Sequence, residues 1–182
     1  MGQVGLGAAG SAIARLALAY GVGQVLVTDR SPEAMAPLIE AGAVASDLDS
    51  ILREADVVVC TTGKVGLIKP EQVRPGQVIF ALSNPYPEID PDVARAAGAA
   101  YAADGASINN ALAFPGIFKG ALLTRSRTIA PQMFVAAAEA IARCAPEGEV
   151  VPSQLDPGVH DAVCEAVAQC ARELGLENTA VL

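Results

Sequence analysis

Five short apolar runs punctuate the first hundred residues, at Gln3–Leu6, Gln24–Thr28, Asp56–Thr61, Gln77–Leu82 and Ala99–Ala103. They are rich in Val, Ile, Leu or Ala and show little polar alternation. That pattern predicts strands covered on both faces, as in a parallel sheet. Between the first two runs, Ile13, Leu16, Ala17 and Tyr20 recur at helical spacing over Ser11–Tyr20, and Gly21-Val22-Gly23 ends the helix. Ser31 followed by Pro32 predicts a second helix start, with the serine side chain capping free amides. Asp47–Ala55 and Asp90–Gly98 read as further crossovers, and Asp90 and Asp92 suit the positive end of a helix dipole. A βαβα order of this kind implies an α/β fold, a doubly wound parallel sheet with right-handed crossovers.

From Asn109 the pattern becomes helical, with helices expected over Ala113–Thr124, Pro131–Ala145 and Asp156–Gly175. Asp156-Pro157 repeats the cap-then-proline start. The 182 residues therefore read as one dinucleotide-binding domain around one core, with a core part at 1–108 and a helical C-terminal part at 109–182. Of these residues 52% are hydrophobic but only 4% aromatic, and 36 are alanine, which suits helices lying close on a thin sheet. The formal net charge of −8 argues against nucleic acid or an anionic membrane as main partner. Uncharged stretches such as Gly105–Phe118 fall short of the ~18 apolar residues of a membrane span. No basic segment precedes an apolar run at the N-terminus, so no signal peptide is expected. Cys60, Cys144, Cys164 and Cys170 lack metal-ligand spacing and read as reduced thiols of a cytoplasmic protein.

Chemistry concentrates at Gly5-Leu6-Gly7-Ala8-Ala9-Gly10, a GxGxxG motif between an apolar run and an amphipathic helix. Gly5 allows the tight turn, Gly7 lets backbone approach a pyrophosphate, and Gly10 lets the helix lie close to the strand. Amides at the helix start then face the phosphates. Asp29 lies 19 positions beyond Gly10 and can accept from both hydroxyls of an adenosine ribose, favouring NAD over NADP. Arg30 beside it could instead hold a 2′-phosphate. Thr61-Thr62-Gly63 and Ser83-Asn84-Pro85 follow the third and fourth runs, where an open parallel sheet places its ligands. Gly63 could pass close to the cofactor, and Asn84 offers a donor and an acceptor for a nicotinamide, a ribose or a substrate carboxylate. Thr-Gly and Asn-Pro are equally ordinary turn formers. Asn109 and Asn110 could cap the following helix, or one could cap while the other reaches a ligand. His160 reads as a solvated surface histidine, Lys64 as an exposed loop lysine, and Tyr20, Tyr86 and Tyr101 as packing or rim residues. No Asp, Glu and His cluster has metal-ligand spacing.

Three segments carry a family resemblance: Gly5–Ala14 (GLGAAGSAIA), Phe80–Ile89 (FALSNPYPEI) and Asn109–Ala121 (NNALAFPGIFKGA). Together they resemble the NAD-binding domain of malic enzyme, the oxidative malate decarboxylase. Val151–Ala168 is similar to the C-terminal end of the shorter bacterial members. The paired NPxPEI and NN-x₃-FPGIF blocks are far more specific than the glycine motif. The resemblance implies a Rossmann-like fold in which Gly5, Gly7, Ala8, Ala9 and Gly10 line the pyrophosphate and Asp29 meets the ribose. It also implies that Asn84, Asn109 and Asn110 face nicotinamide and malate, and that Mg or Mn serves the parent enzyme, which is usually a homo-oligomer. The family's reaction converts malate to pyruvate and carbon dioxide.

Two departures from the family pattern stand out. The segment before the asparagine pair is short, only Asp104-Gly105-Ala106-Ser107-Ile108. The family's catalytic tyrosine and lysine and its three acidic metal ligands precede the glycine motif, and here only Met1–Val4 do. A first strand normally runs ~5–6 residues. The chain is therefore expected to be a fragment that binds NAD and does not turn over malate. A free-standing nucleotide-binding module and another Rossmann dehydrogenase are the alternatives, and an open frame upstream of Met1 would favour the enzyme.

Overall fold

The structure is a computed structural model and describes residues 1–108, 110–153 and 155–178. The chain divides into two compact units, Met1–Ile108 and Asn109–Leu182.

The first unit holds a six-stranded, all-parallel sheet: β1 (Gly2–Val4), β2 (Leu26–Thr28), β3 (Val44–Ala45), β4 (Val57–Cys60), β5 (Val78–Ala81) and β6 (Tyr101–Asp104). Their spatial order is β3-β2-β1-β4-β5-β6. The order reverses between β1 and β4, where a doubly wound sheet opens its ligand crevice. The helices are α1 (Ala8–Tyr20), α2 (Pro32–Glu40), α3 (Leu48–Glu54) and α4 (Pro91–Ala96). Leu26 shares one buried cluster with Ile51 and Leu52 of α3 and Ala94 of α4. Its neighbours Val25 and Val27 pack with Ala14 and Leu38 from α1 and α2. Because successive strand residues point to opposite faces, helices cover both sides of the sheet. This is why the strands read as continuous apolar runs.

Some local expectations are corrected. Strand β3 is a sixth strand, two exposed residues long at the sheet edge, so no buried apolar run announces it. Helix α1 begins at Ala8 rather than Ser11, because Gly7 ends the loop in an extended conformation. Ser31 does not cap amides with its side chain; its hydroxyl donates to the Glu33 carboxylate instead. Asp47, by contrast, accepts from Ser50 N, and Asp90 from Asp92 N and Val93 N.

The second unit contains a 3-10 turn (Asn110–Leu112) and helices α5 (Gly116–Leu123), α6 (Pro131–Cys144) and α7 (Pro157–Glu173). Rather than joining a single core, these helices bury a cluster of their own. Helix α7 contributes Val159, Val163, Val167 and Ala171, one residue per turn on one face. Gly116 and Gly120 of α5 let that helix lie against α7. A Cβ at Gly120 would come within 2.6 Å of Cys164 O, and one at Gly116 within 2.7 Å of Val163 Cγ1. Asp156 caps α7 by accepting from Gly158 N. His160 is not a solvated histidine. It is half-buried, with Nε2 3.0 Å from Ala111 O, because the first turn of α7 lies against the 3-10 turn.

Candidate functional site

The glycine loop leaves β1 at the carboxyl edge of the sheet. Gly5 takes φ +86° and donates its amide to Thr28 O at 2.9 Å, joining the ends of β1 and β2. A Cβ at Gly10 would fall 1.9 Å from Gly5 O and 2.6 Å from Thr61 Oγ1, so only glycine lets α1 start this close to the strand. Gly7 faces open space, and Gly7, Ala8 and Ala9 are exposed. No side chain caps α1 and no acidic residue occupies its first turn. The 13-residue helix therefore presents free amides and the positive end of its dipole to solvent, the arrangement that holds a phosphate group.

Beneath the loop lies a polar brace in which Gln3, on β1, is completely buried. Its Nε2 donates to Gly5 O and Thr61 Oγ1, both at 3.0 Å, and Thr61 Oγ1 donates to Gly5 O at 3.0 Å. Thr61 N bonds Val4 O, so the loop after β1 and the loop after β4 are tied across the crevice. Gln3 was legible only as a polar residue inside an apolar run.

Asp29 follows β2. Its Oδ2 accepts from Leu6 N at 2.6 Å and its Oδ1 from Ser31 N at 2.9 Å. The Ser31 and Leu6 amides, with lesser help from Arg30, hold its carboxyl below the ordinary aspartate value of 3.8. Each oxygen keeps a lone pair, so a half-buried carboxylate remains able to accept from a diol. Arg30 beside it is exposed.

Beyond β4, Thr61 and Thr62 are half-buried, while Gly63 (φ +69°) and Lys64 are exposed. Beyond β5, Asn84 is exposed, precedes a cis Asn84–Pro85 bond, and sends Nδ2 towards Gly105 O at 3.4 Å. Behind both loops sits Glu88, completely buried, which no spacing in the sequence singles out. Cys60, at the end of β4, is inert: burial, reinforced by the Glu88 carboxylate, pushes its thiol far above the ordinary range.

Gly5–Gly10, Asp29, Thr61–Gly63 and Asn84 thus lie at the carboxyl ends of the four neighbouring strands β2, β1, β4 and β5. Asn110 belongs to the second unit, where it begins the 3-10 turn and is exposed. Asn109 lies outside the described residues. Among the described residues, no three His, Cys, Asp or Glu side chains gather as metal ligands do, and no helix is long and apolar enough to cross a membrane.

The family described as malic enzyme, NAD binding domain, matches residues 95–177, and that of the D-isomer specific 2-hydroxyacid dehydrogenase NAD binding domain matches residues 1–65. An NAD-dependent malic enzyme of Bacillus subtilis is 56% identical over 172 residues, covering 94% of this chain and 39% of the relative. An NADP-dependent malic enzyme of Rhizobium meliloti is 36% identical over 157 residues, covering 71% of this chain and 20% of the relative. The crystal structure of a malic enzyme from Pyrococcus horikoshii superposes with a TM-score of 0.84 at 34% identity, covering 99% of this chain and 49% of that one. The chain thus spans half or less of the length of these relatives.

Proposed function

We propose, from the premise that this chain belongs to the malic enzyme family and carries its NAD-binding domain, that it is the cofactor-holding part of an oxidative malate decarboxylase. The observation that carries this reading is the open first turn of α1 beside the Asp29 carboxylate, with no side chain filling the space over Gly7. The amides of Gly7, Ala8, Ala9 and Gly10 take the pyrophosphate, and Asp29 accepts from the adenosine ribose hydroxyls. Thr61, Thr62, Gly63 and Asn84 serve the nicotinamide half, whose ring, once bound, accepts hydride from C2 of malate. Carboxamides suit that work because they orient a ribose or a carboxylate without adding charge at the reacting carbon.

NAD is the preferred cofactor. A 2′-phosphate would meet the negative Asp29 at close range, while the exposed Arg30 beside it is the group that would favour NADP. Asn109 and Asn110 we assign to nicotinamide and malate from the family resemblance alone. Asn110→Ala in a full-length parent should raise KM for malate, and an unchanged KM would remove that assignment. The described residues do not fit a metal centre, so no step through Mg or Mn is given to them. We place the protein in the cytoplasm, where thiols such as the half-buried Cys144 and Cys170 stay reduced.

Titration of the 182-residue chain with NADH, followed by nicotinamide fluorescence, tests the reading. Saturable binding at or below millimolar cofactor is expected, without malate oxidation. Absence of binding at millimolar NADH, or measurable turnover by the pure chain, would refute it.

A further inference from the structure

A carboxylate with no exposed surface is costly unless donors converge on it, and Glu88 meets four. Its Oε1 accepts from Thr62 N at 2.7 Å, Thr62 Oγ1 at 2.8 Å and Ser83 Oγ at 2.6 Å, and its Oε2 from Ser83 N at 3.4 Å. Both hydroxyls point their protons inward at this carboxylate, which leaves their oxygens free to accept on the outer side. Ser83 Oγ takes the Gly63 amide at 2.8 Å, and Thr62 Oγ1 takes the Lys64 amide at 3.1 Å. The Glu88 carbonyl also receives Ile68 N at 3.1 Å. One side chain therefore sets the hydroxyl directions that fix the loop after β4, and ties that loop to the one after β5.

The position of this clamp within the sheet gives it a function. A dinucleotide fold is built of two halves, each holding one mononucleotide. Asp29 and the glycine loop stand on the β1–β2 side. The segments joined by Glu88 leave β4 and β5, and their exposed residues, Gly63, Lys64 and Asn84, lie just beyond the clamp. We propose that Glu88 is a positioning residue for the nicotinamide half of the cofactor, shaping both loops without touching the ligand. This rests on the NAD site assigned above.

Glu88→Gln keeps the shape but brings N–H donors to a point where donors already converge. The experiment compares NADH with ADP, which carries the adenosine half alone, on the full 182-residue chain. Glu88→Gln should raise Kd for NADH about fivefold or more, the worth of one or two charge-assisted hydrogen bonds, while Kd for ADP stays within about twofold of wild type. Ser83→Ala, which cuts the relay to Gly63 and leaves Glu88 in place, should give the same one-sided change at smaller size. It decides the question alone if Glu88→Gln fails to fold. Equal weakening of both ligands would mean that Glu88 only supports the fold, and an unchanged NADH affinity would mean that it does neither; either result overturns the proposal. A wild-type chain that binds neither ligand instead removes the cofactor site on which the proposal stands.

Discussion

At Gly10 a single added methyl carbon would sit 1.9 Å from Gly5 O, against backbone that has nowhere to move while Gln3 and Thr61 hold it. Gly10→Ala should therefore push α1 off β1, costing about 1–3 kcal/mol as overpacking does and weakening NADH binding more than tenfold; denaturant unfolding and NADH titration check the two effects. Asp29 makes a different kind of contribution. Asp29→Asn keeps the shape and removes the charge that, under the proposed ribose assignment, opposes a 2′-phosphate. The ratio of NAD to NADP affinity should fall roughly tenfold, in line with loss of a charge-assisted hydrogen bond, and an unchanged ratio would refute the ribose assignment. The places of the glycine turn after β1 and of Asp29 after β2 were readable because their spacing repeats a known physical requirement. Glu88, in the turn after β5, and Gln3, in an apolar run, were not, since each gains meaning only when partners 26 and 58 positions away in the chain are known.

Among the elements, helix starts were the most legible. Asp47, Asp90 and Asp156 cap where a short polar side chain before an apolar period says they should. Ser31 misleads because Glu33 two positions later competes for its hydroxyl. Strand β3 escaped notice for the opposite reason: an exposed edge pair makes no apolar run. In the second unit, Gly116 and Gly120 lie four apart on α5, a helical spacing that names a face without naming what it meets. Gly120→Val should drive α5 from α7, where the new side chain would start 2.6 Å from Cys164 O. A loss of about 1–3 kcal/mol is expected, seen as a Tm lower by several degrees with ADP affinity unchanged, since the residues assigned to the pyrophosphate and the adenosine ribose lie in the first unit.

Over the whole molecule, acid removes part of the stability that three carboxylates supply. Hydrogen-bond donors hold Asp29, Asp47 and Asp104 below their ordinary value of 3.8: Ser31 and Leu6 amides act on the first, the Ser50 amide and hydroxyl on the second, and the Ser107 hydroxyl and amide on the third. A folded-state pKa below the unfolded one stabilises the protein above the unfolded value and loses that stabilisation as pH falls through the folded one. Tm should thus be flat with respect to these groups above about pH 5 and fall as pH drops below about 4, with Asp29→Asn showing a shallower fall; a melting series across pH 3–7 checks it. The succession of helices and of the five longer strands, the covered sheet and the glycine turn before α1 follow from the sequence, because they depend on periods and short spacings within one stretch of chain. Strand order β3-β2-β1-β4-β5-β6, the brace under the loop and the Glu88 clamp arise only on folding. They join residues far apart in sequence, and a side chain's partner in space leaves no periodic trace in the chain that carries it.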